Sequence, residues 1–271
     1  MKPCLNQDTL RTTPTEKFLQ IAKHSGFDSI EFTMDKIEAM LKEGMQAQTK
    51  NQLTRQNLEV ASINGPENFN LLDDNAFSEI LNRTDKIVDI AREFHCRLLV
   101  PVPSPMKEGV SEQTAITETA SALTLMAERY GDGIKLGLEF LGMKSCSINN
   151  LLAAVETVRQ VGRSNVGLVL DSFHMYASGS KYEDVTRLEP AQIFLAHVND
   201  SEPGDRATLT DANRLYPGEG VIDLKGFAST LRRVGYDYEL SLELLRPAYW
   251  EQDAEQVALK GRESLRRVFG V

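Results

Sequence analysis

Short apolar runs recur along the chain, and between most of them lie stretches whose apolar residues return every three or four positions. The runs are "KPCLN" from Lys2, "SIEF" from Ser29, "EVASIN" from Glu59, "CRLLVPV" from Cys96, "KLGLEFL" from Lys135, "VGLVLD" from Val166, "IFLAHV" from Ile193 and "LSLELL" from Leu240. Each is four to seven residues long and rich in Val, Ile, Leu and Phe, the composition of a strand buried on both faces. Helical spacing is clearest from Phe77 to Phe94, where Ile80, Leu81, Thr84, Ile87, Val88 and Ala91 form one stripe. Comparable stretches run from about Ser111 to Tyr130, Ser147 to Val161, Leu224 to Val234 and Ala254 to Phe269. Gly26, Gly133 and Gly235 fall where a helix must stop before the next strand.

Buried strands alternating with helices specify a parallel sheet covered by helices. Eight such units in 271 residues match a (β/α)8 barrel, which typically takes about 250 residues. The rival is an open doubly wound sheet, which carries a glycine-rich phosphate loop after its first strand. Here "NQDTLRTTP" follows the first strand and contains no glycine. No linker or composition shift divides the sequence, so residues 1–271 are read as one α/β barrel domain.

In a barrel of this kind chemistry sits where the strands end, at the C-terminal face. The last polar residues of the four late strands are Glu139, Asp171, His197 and Glu243, each about one strand-plus-helix unit from the next. Asp171 ends an otherwise apolar run, where a bare carboxylate costs several kcal/mol unless it is salt-bridged, hydrogen-bonded or bound to a cation. Three carboxylates aimed at one another repel and take up protons. One divalent cation removes that conflict, and three oxygen donors with one imidazole suit Mn²⁺, Mg²⁺, Co²⁺ or Zn²⁺ without choosing among them.

Composition narrows the function. A net charge of −9, with no Lys/Arg run, is unlike a nucleic-acid binder. Cys4, Cys96 and Cys146 are odd in number and far apart, as free thiols in a reducing cytoplasm would be. No run approaches a membrane span of ~20 residues, and "MKPCLNQDTL" lacks the apolar core of a signal peptide. The expected partner is a small molecule, and the expected assembly a monomer or homodimer.

His174, three residues past Asp171, is placed to hydrogen-bond a substrate oxygen as a neutral imidazole. His24 and His95 lie near helix C-termini and are read as structural. Asn6 ends the first strand and Glu31 lies in the second, a weaker pair of rim candidates. Arg214, in the "NRLYPGEG" loop held by a Pro-Gly turn, either holds a substrate oxygen or is a surface arginine. Arg246 either reaches substrate or pairs with a rim carboxylate, and Trp250 either walls the pocket or caps the last helix.

Six segments, "SIEFTMDKI", "GLEFLG", "NVGLVLDSFHMYASGS", "LAHVNDSE", "RLYPGEGVIDL" and "SLELLRPAYW", resemble the sugar isomerase/epimerase superfamily of xylose-isomerase-like TIM barrels over nearly the whole chain. Within it they are most similar to isomerases of inositol-derived ketones. The resemblance implies that Glu139, Asp171, His197 and Glu243 hold the metal. It further implies that Glu139 and Glu243 also transfer the proton, and that His174 and Arg214 touch substrate. An α-hydroxyketone polyol, cyclic or open, would then pass through an enediolate as a proton moves between the two glutamates. Return of the proton to the neighbouring carbon is isomerisation; return to the opposite face of the same carbon is epimerisation. Some epimerases of the superfamily carry a further acid where this chain has "GMKSCSIN", with Lys144 and Ser145, which counts against a ketohexose 3-epimerase. A 3-dehydroshikimate dehydratase would favour an arginine-rich pocket, and only Arg214 and Arg246 stand out. An apurinic endonuclease would need further histidines and a basic groove; a non-catalytic barrel would have no use for an intact ligand set.

Overall fold

In the computed structural model, which describes all 271 residues, eight parallel strands close into a barrel. They span Lys2–Asn6, Ser29–Thr33, Glu59–Glu67, Leu98–Val102, Lys135–Glu139, Val166–Asp171, Ile193–Val198 and Glu239–Leu242. Neighbours in sequence are neighbours in space, and the first strand pairs with the last. All eight expected strands form, and the sixth and seventh, Val166–Asp171 and Ile193–Val198, are buried at every position. The last strand stops at Leu242, so Glu243 lies one residue beyond it.

Five helices cover the barrel close to their expected bounds: Asp74–Glu93, Glu112–Tyr130, Leu151–Val161, Leu224–Arg233 and Ala254–Phe269. The third starts later than its apolar pattern suggested, because Asn150 rather than Ser147 provides the cap, accepting from the Ala153 amide at 2.9 Å. The stop before the fifth strand is Gly131, at φ +68°, and not Gly133. Five further α-helices lie outside those stretches: Thr15–His24, Met34–Lys42, Gln46–Gln56, Ser172–Ser178 and Pro247–Trp250. Thr15–His24 and Met34–Lys42 bury clear apolar faces, Phe18, Leu19, Ile21 and Ala22 in one and Met34, Ile37 and Met40 in the other, whereas Gln46–Gln56 is mostly polar. The last two are two turns or less, too short for a period to show. No helix is long and apolar enough to cross a membrane. All three cysteines are buried free thiols.

Strand register arranges the interior. Asn6 lies beside Glu31, Glu31 beside Ser62, Ser241 beside His197 and His197 beside Asp171. Laterally paired residues of a parallel sheet point the same way, so these side chains share the inner face of the barrel. Lower down, Leu98, Val100, Val169, Phe194 and Leu195 form a separate apolar plug. Gly137 makes room for it: a Cβ there would meet Val169 Cγ2 at 2.9 Å and Leu98 Cδ1 at 3.2 Å. The barrel thus has an apolar floor and a polar layer at the end where the strands finish.

Candidate metal centre and cavity

Glu139, Asp171, His197 and Glu243 converge, with one ligand atom from each lying within 4.8 Å of the others. All four are at least 95% buried. His197 Nδ1 lies 2.7 Å from Glu139 Oε1 and 3.3 Å from Glu243 Oε2. Its Nε2 faces Glu31 Oε2 at 3.1 Å. Glu31 is fully buried and also receives Asn6 Nδ2 at 3.2 Å and the hydroxyls of Ser62 and Ser241. A buried carboxylate fixing one nitrogen of a histidine aims the other at the centre, as in carboxylate–histidine–metal triads. Glu31 was only a weak candidate in the sequence. The register that places Ser62 and Ser241 around it is a property of the closed barrel.

The electrostatics of these groups follow from acids crowded together in a buried site. Burial pushes the Glu139 carboxyl up to about 7, with Glu243 and Asp171 adding to the rise against His197. Burial works against the His197 imidazolium, but Glu139, Glu243 and Glu31 outweigh it and hold the ring well above its usual range. At Glu31, burial is likewise overcome, by His197 and the two serine hydroxyls, and its carboxyl sits below the ordinary value. Arg214 is the fixed protein cation among these acids, and a cation held by His197 Nδ1 would leave the ring neutral. Arg214 Nη1 reaches Asp171 Oδ2 at 2.7 Å and Glu243 Oε2 at 2.9 Å. Three carboxylates and one oriented imidazole nitrogen are a donor set that fits a divalent cation.

Asp171 is thus tolerated by several partners at once. Its Oδ1 caps the Ser172–Ser178 helix through the His174 amide at 2.9 Å. Its Oδ2 takes Arg214 and the Asn199 amide, the latter at 3.0 Å. Burial would raise this carboxyl; Arg214, His174 and His197 together hold it far below the usual carboxylate range.

Arg214 arrives on a tied loop. Arg214–Leu215 pairs antiparallel with Asp200–Ser201. The Asp200 carboxylate accepts from the Ser201, Gly218 and Ile222 amides at 2.9–3.0 Å. Gly218, at φ +85°, makes the turn expected at Pro217-Gly218. Arg214 is fully buried and is no surface arginine. Its Nη2 points at His174 Nε2, 3.1 Å away. A guanidinium only donates, so this nitrogen of His174 accepts and Nδ1 carries the proton. That Nδ1 has no partner, although His174 is 1% exposed and lines the cavity above the four residues. Burial lowers the His174 pKa, so the ring is a neutral donor with an unused N–H. Gly142 allows the loop after the fifth strand to lie against it: a Cβ there would meet His174 O at 2.4 Å.

The cavity measures about 520 Å³. It is walled by loops after strands one to three on one side and by Glu139, His174, Arg214 and Glu243 on the other. Two expected substrate contacts do not reach it. Asn6 lies beneath the site, with its amide on Glu31 and on Glu243 at 3.0 Å and its carbonyl capping Asp8, so it positions acids. Arg246 turns outward to Glu202 at 2.7 Å and to the backbone of Ala212 and Arg214, which braces the loop. Trp250 neither walls the cavity nor caps a helix; its Nε1 donates to Asp8 O at 2.8 Å. His24 and His95 are exposed at helix ends, away from the site.

Known proteins repeat this framework. Residues 19–268 match the family model described as a xylose isomerase-like TIM barrel. An inosose isomerase of Bacillus velezensis is 32% identical over 275 aligned positions, covering 99% of this chain and 97% of that protein. An inosose isomerase of Bacillus subtilis is 32% identical, with 94% and 93% coverage. A crystal structure of IolI protein with a bound zinc atom superposes with a TM-score of 0.94 at 30% identity, covering 100% of this chain and 98% of that one. Closed barrel, rim-end acids and full-length similarity agree: the chain belongs to the xylose isomerase-like TIM barrel family.

Proposed function

We propose that this protein is a metal-dependent sugar isomerase or epimerase acting on an inosose-like α-hydroxyketone. The observation that carries the reading is a pair of buried glutamates, Glu139 and Glu243, both drawn to His197 Nδ1 at the foot of a cavity large enough for a six-membered polyol. Glu139, Asp171, His197 Nδ1 and Glu243 would hold the cation, zinc being the one bound in the IolI structure. When bound, a divalent cation polarises the substrate carbonyl and stabilises the negative charge that builds up as the α-proton leaves. The chain's own groups do the rest. One glutamate removes the α-proton and the other returns a proton, each base being worth about 10²–10⁴-fold. His174 donates its free Nδ1–H to a substrate oxygen. Arg214 holds Asp171 and Glu243 in place and keeps His174 in the donating tautomer.

Charge favours an uncharged polyol over the carboxylate of a dehydroshikimate. Six acids line the cavity: Asp8, Asp35, Glu67, Glu139, Asp211 and Glu243. Its three arginines are already paired, Arg11 with Asp8, Arg83 with Glu38 and Arg214 with Asp171. No cationic side chain lining the cavity is left unpaired to receive a carboxylate.

The test is proton exchange. Metal-loaded protein in D₂O is offered an inosose, a ketohexose and dehydroshikimate, with proton NMR as readout. Deuterium is expected at the carbon next to the inosose carbonyl, followed by a new inosose isomer. Exchange confined to dehydroshikimate, with loss of water, would make the protein a lyase.

His174→Asn is expected to leave metal content and folding near parental. It should lower kcat/KM by roughly 10- to 1,000-fold, the cost of one lost hydrogen bond to a polar substrate. The loss should shrink on an analogue lacking the contacted oxygen. If the substitution strips the metal instead, His174 is a ligand.

A further inference from the structure

The cavity wall that follows the first strand, next to Glu243, holds a group that nothing so far explains. Asp8 follows the first strand in the short 3₁₀ turn Gln7–Leu10 and lines the cavity. It is tied at every other point. Its amide donates to Asn6 Oδ1 at 2.8 Å, its carbonyl takes Trp250 Nε1, and its Oδ2 pairs with Arg11 Nη1 at 3.0 Å. Arg11 also reaches Asp35 at 3.8 Å and lies over the Trp250 ring at 5.9 Å. Oδ1 alone is buried without a partner. A second cavity residue, Asn64 at the third strand, also has its side-chain oxygen buried and unpartnered. Buried acceptors without donors cost about 1–3 kcal/mol each, and these two, unlike Gln7 Oε1 or Gln56 Oε1, belong to residues that line the cavity, where a ligand can complete them. The one free donor nearby, His174 Nδ1–H, belongs to the opposite wall. Burial lifts the Asp8 carboxyl to about 7, against the pull of Arg11, so it accepts as a carboxylate above that pH and loses this role as it is protonated below it.

We propose that Asp8, with Asn64 on the same side of the cavity, accepts hydroxyl groups of the substrate on the wall built by the first and third strands, and so selects hydroxyl-rich, uncharged ring ketones. The inference rests on the proposed isomerase reading and adds to it: acceptors on one wall and a donor on the other define a molecule with hydroxyls at one edge and a carbonyl or alkoxide oxygen at the other. A site built to receive a hydroxyl rejects the analogue that lacks it far more strongly than an apolar pocket rejects an extra one. Because the backbone ties of Asp8 do not involve its free oxygen, Asp8→Asn keeps the shape of the turn while removing the charged acceptor.

The experiment compares wild type and Asp8→Asn, both metal-loaded, on an inosose and on a series of its monodeoxy analogues. The variant is expected to raise KM on the full polyol about 10- to 100-fold, the range for a hydrogen bond to a charged group, with kcat changed less than about threefold. On one deoxy analogue, the one missing the hydroxyl that Asp8 receives, the two enzymes should become equal. An unchanged KM overturns the proposal. So does an equal loss on every analogue, which would make Asp8 only a brace for Arg11 and the turn. Calorimetric titration with scyllo-inositol, which has no carbonyl to react, separates this from the isomerase reading. If wild type exchanges no proton in any inosose, that reading falls, and the titration still decides Asp8: weaker binding by the variant supports it, equal binding or none by wild type overturns it.

Discussion

Glu139→Gln and Glu243→Gln are each expected to lower kcat by at least about 100-fold, because a positioned base contributes that much or more and an amide takes no proton. Glutamine keeps an oxygen donor of nearly the same shape, so both variants should retain substantially more metal than the matching alanine variants. The two differ in their surroundings. Glu139 meets His197 Nδ1 at 2.7 Å, whereas Glu243 also receives Asn6 Nδ2 and Arg214. Replacing Glu243 therefore removes a counter-charge from Arg214 as well as a base, and its stability should fall further than that of Glu139→Gln. Rates are read by single-turnover and steady-state kinetics and metal by elemental analysis of the same samples. If either glutamine variant keeps more than about a tenth of the parental rate, that glutamate is not a base and the two-glutamate mechanism fails.

Asp171→Ala should release the metal and destabilise the protein together. The carboxylate is one of the four convergent donors, and it is also the nearest partner of a fully buried arginine. Truncation leaves Arg214 with Asp211 at 2.8 Å and Glu243, but leaves the Asn199 amide only Glu243 O at 3.3 Å and uncaps the Ser172–Ser178 helix. Removing one partner of a buried charge pair costs about 3–5 kcal/mol. Asp171→Asn separates the two effects: asparagine caps a helix nearly as well, so stability should recover in part while metal affinity stays low. Denaturant unfolding with and without chelator gives the stability, and elemental analysis the metal. Metal binding by Asp171→Ala as tight as the parent's would remove Asp171 from the site.

Strand positions and the four convergent residues were legible because both depend on local order. A strand buried on both faces must be apolar, and a polar residue at its end interrupts that run visibly, as Asp171 interrupts "VGLVLD" and His197 interrupts "IFLAHV". The repeat of that interruption in successive units needs no tertiary knowledge beyond barrel closure. Long amphipathic helices such as Asp74–Glu93 and Ala254–Phe269 showed for the same reason. The short Ser172–Ser178 helix did not, because two turns carry too little period, and it turned His174 from a rim residue into a buried one.

What the chain order could not assign is which polar side chains meet. Asn6, Glu31, Ser62 and Ser241 lie on four strands far apart in sequence, and only register makes them one hydrogen-bonded support under His197. Arg214 and Arg246 look alike in the sequence, each in a loop near a rim. The ribbon and the Asp200 carboxylate turn Arg214 inward onto Asp171, while Glu202 draws Arg246 outward. Asp8 gave no sequence signal, being one acid among many in a loop. Its free oxygen is defined only by what the fold places around it, and by the donor the fold leaves out. Sequence determined the barrel and its four convergent donors, because hydrophobic burial acts on each strand separately. Tertiary structure decided partner choice, tautomer and unpaired acceptors, because hydrogen bonds reach about 3 Å and depend on where strands distant in sequence come to lie side by side.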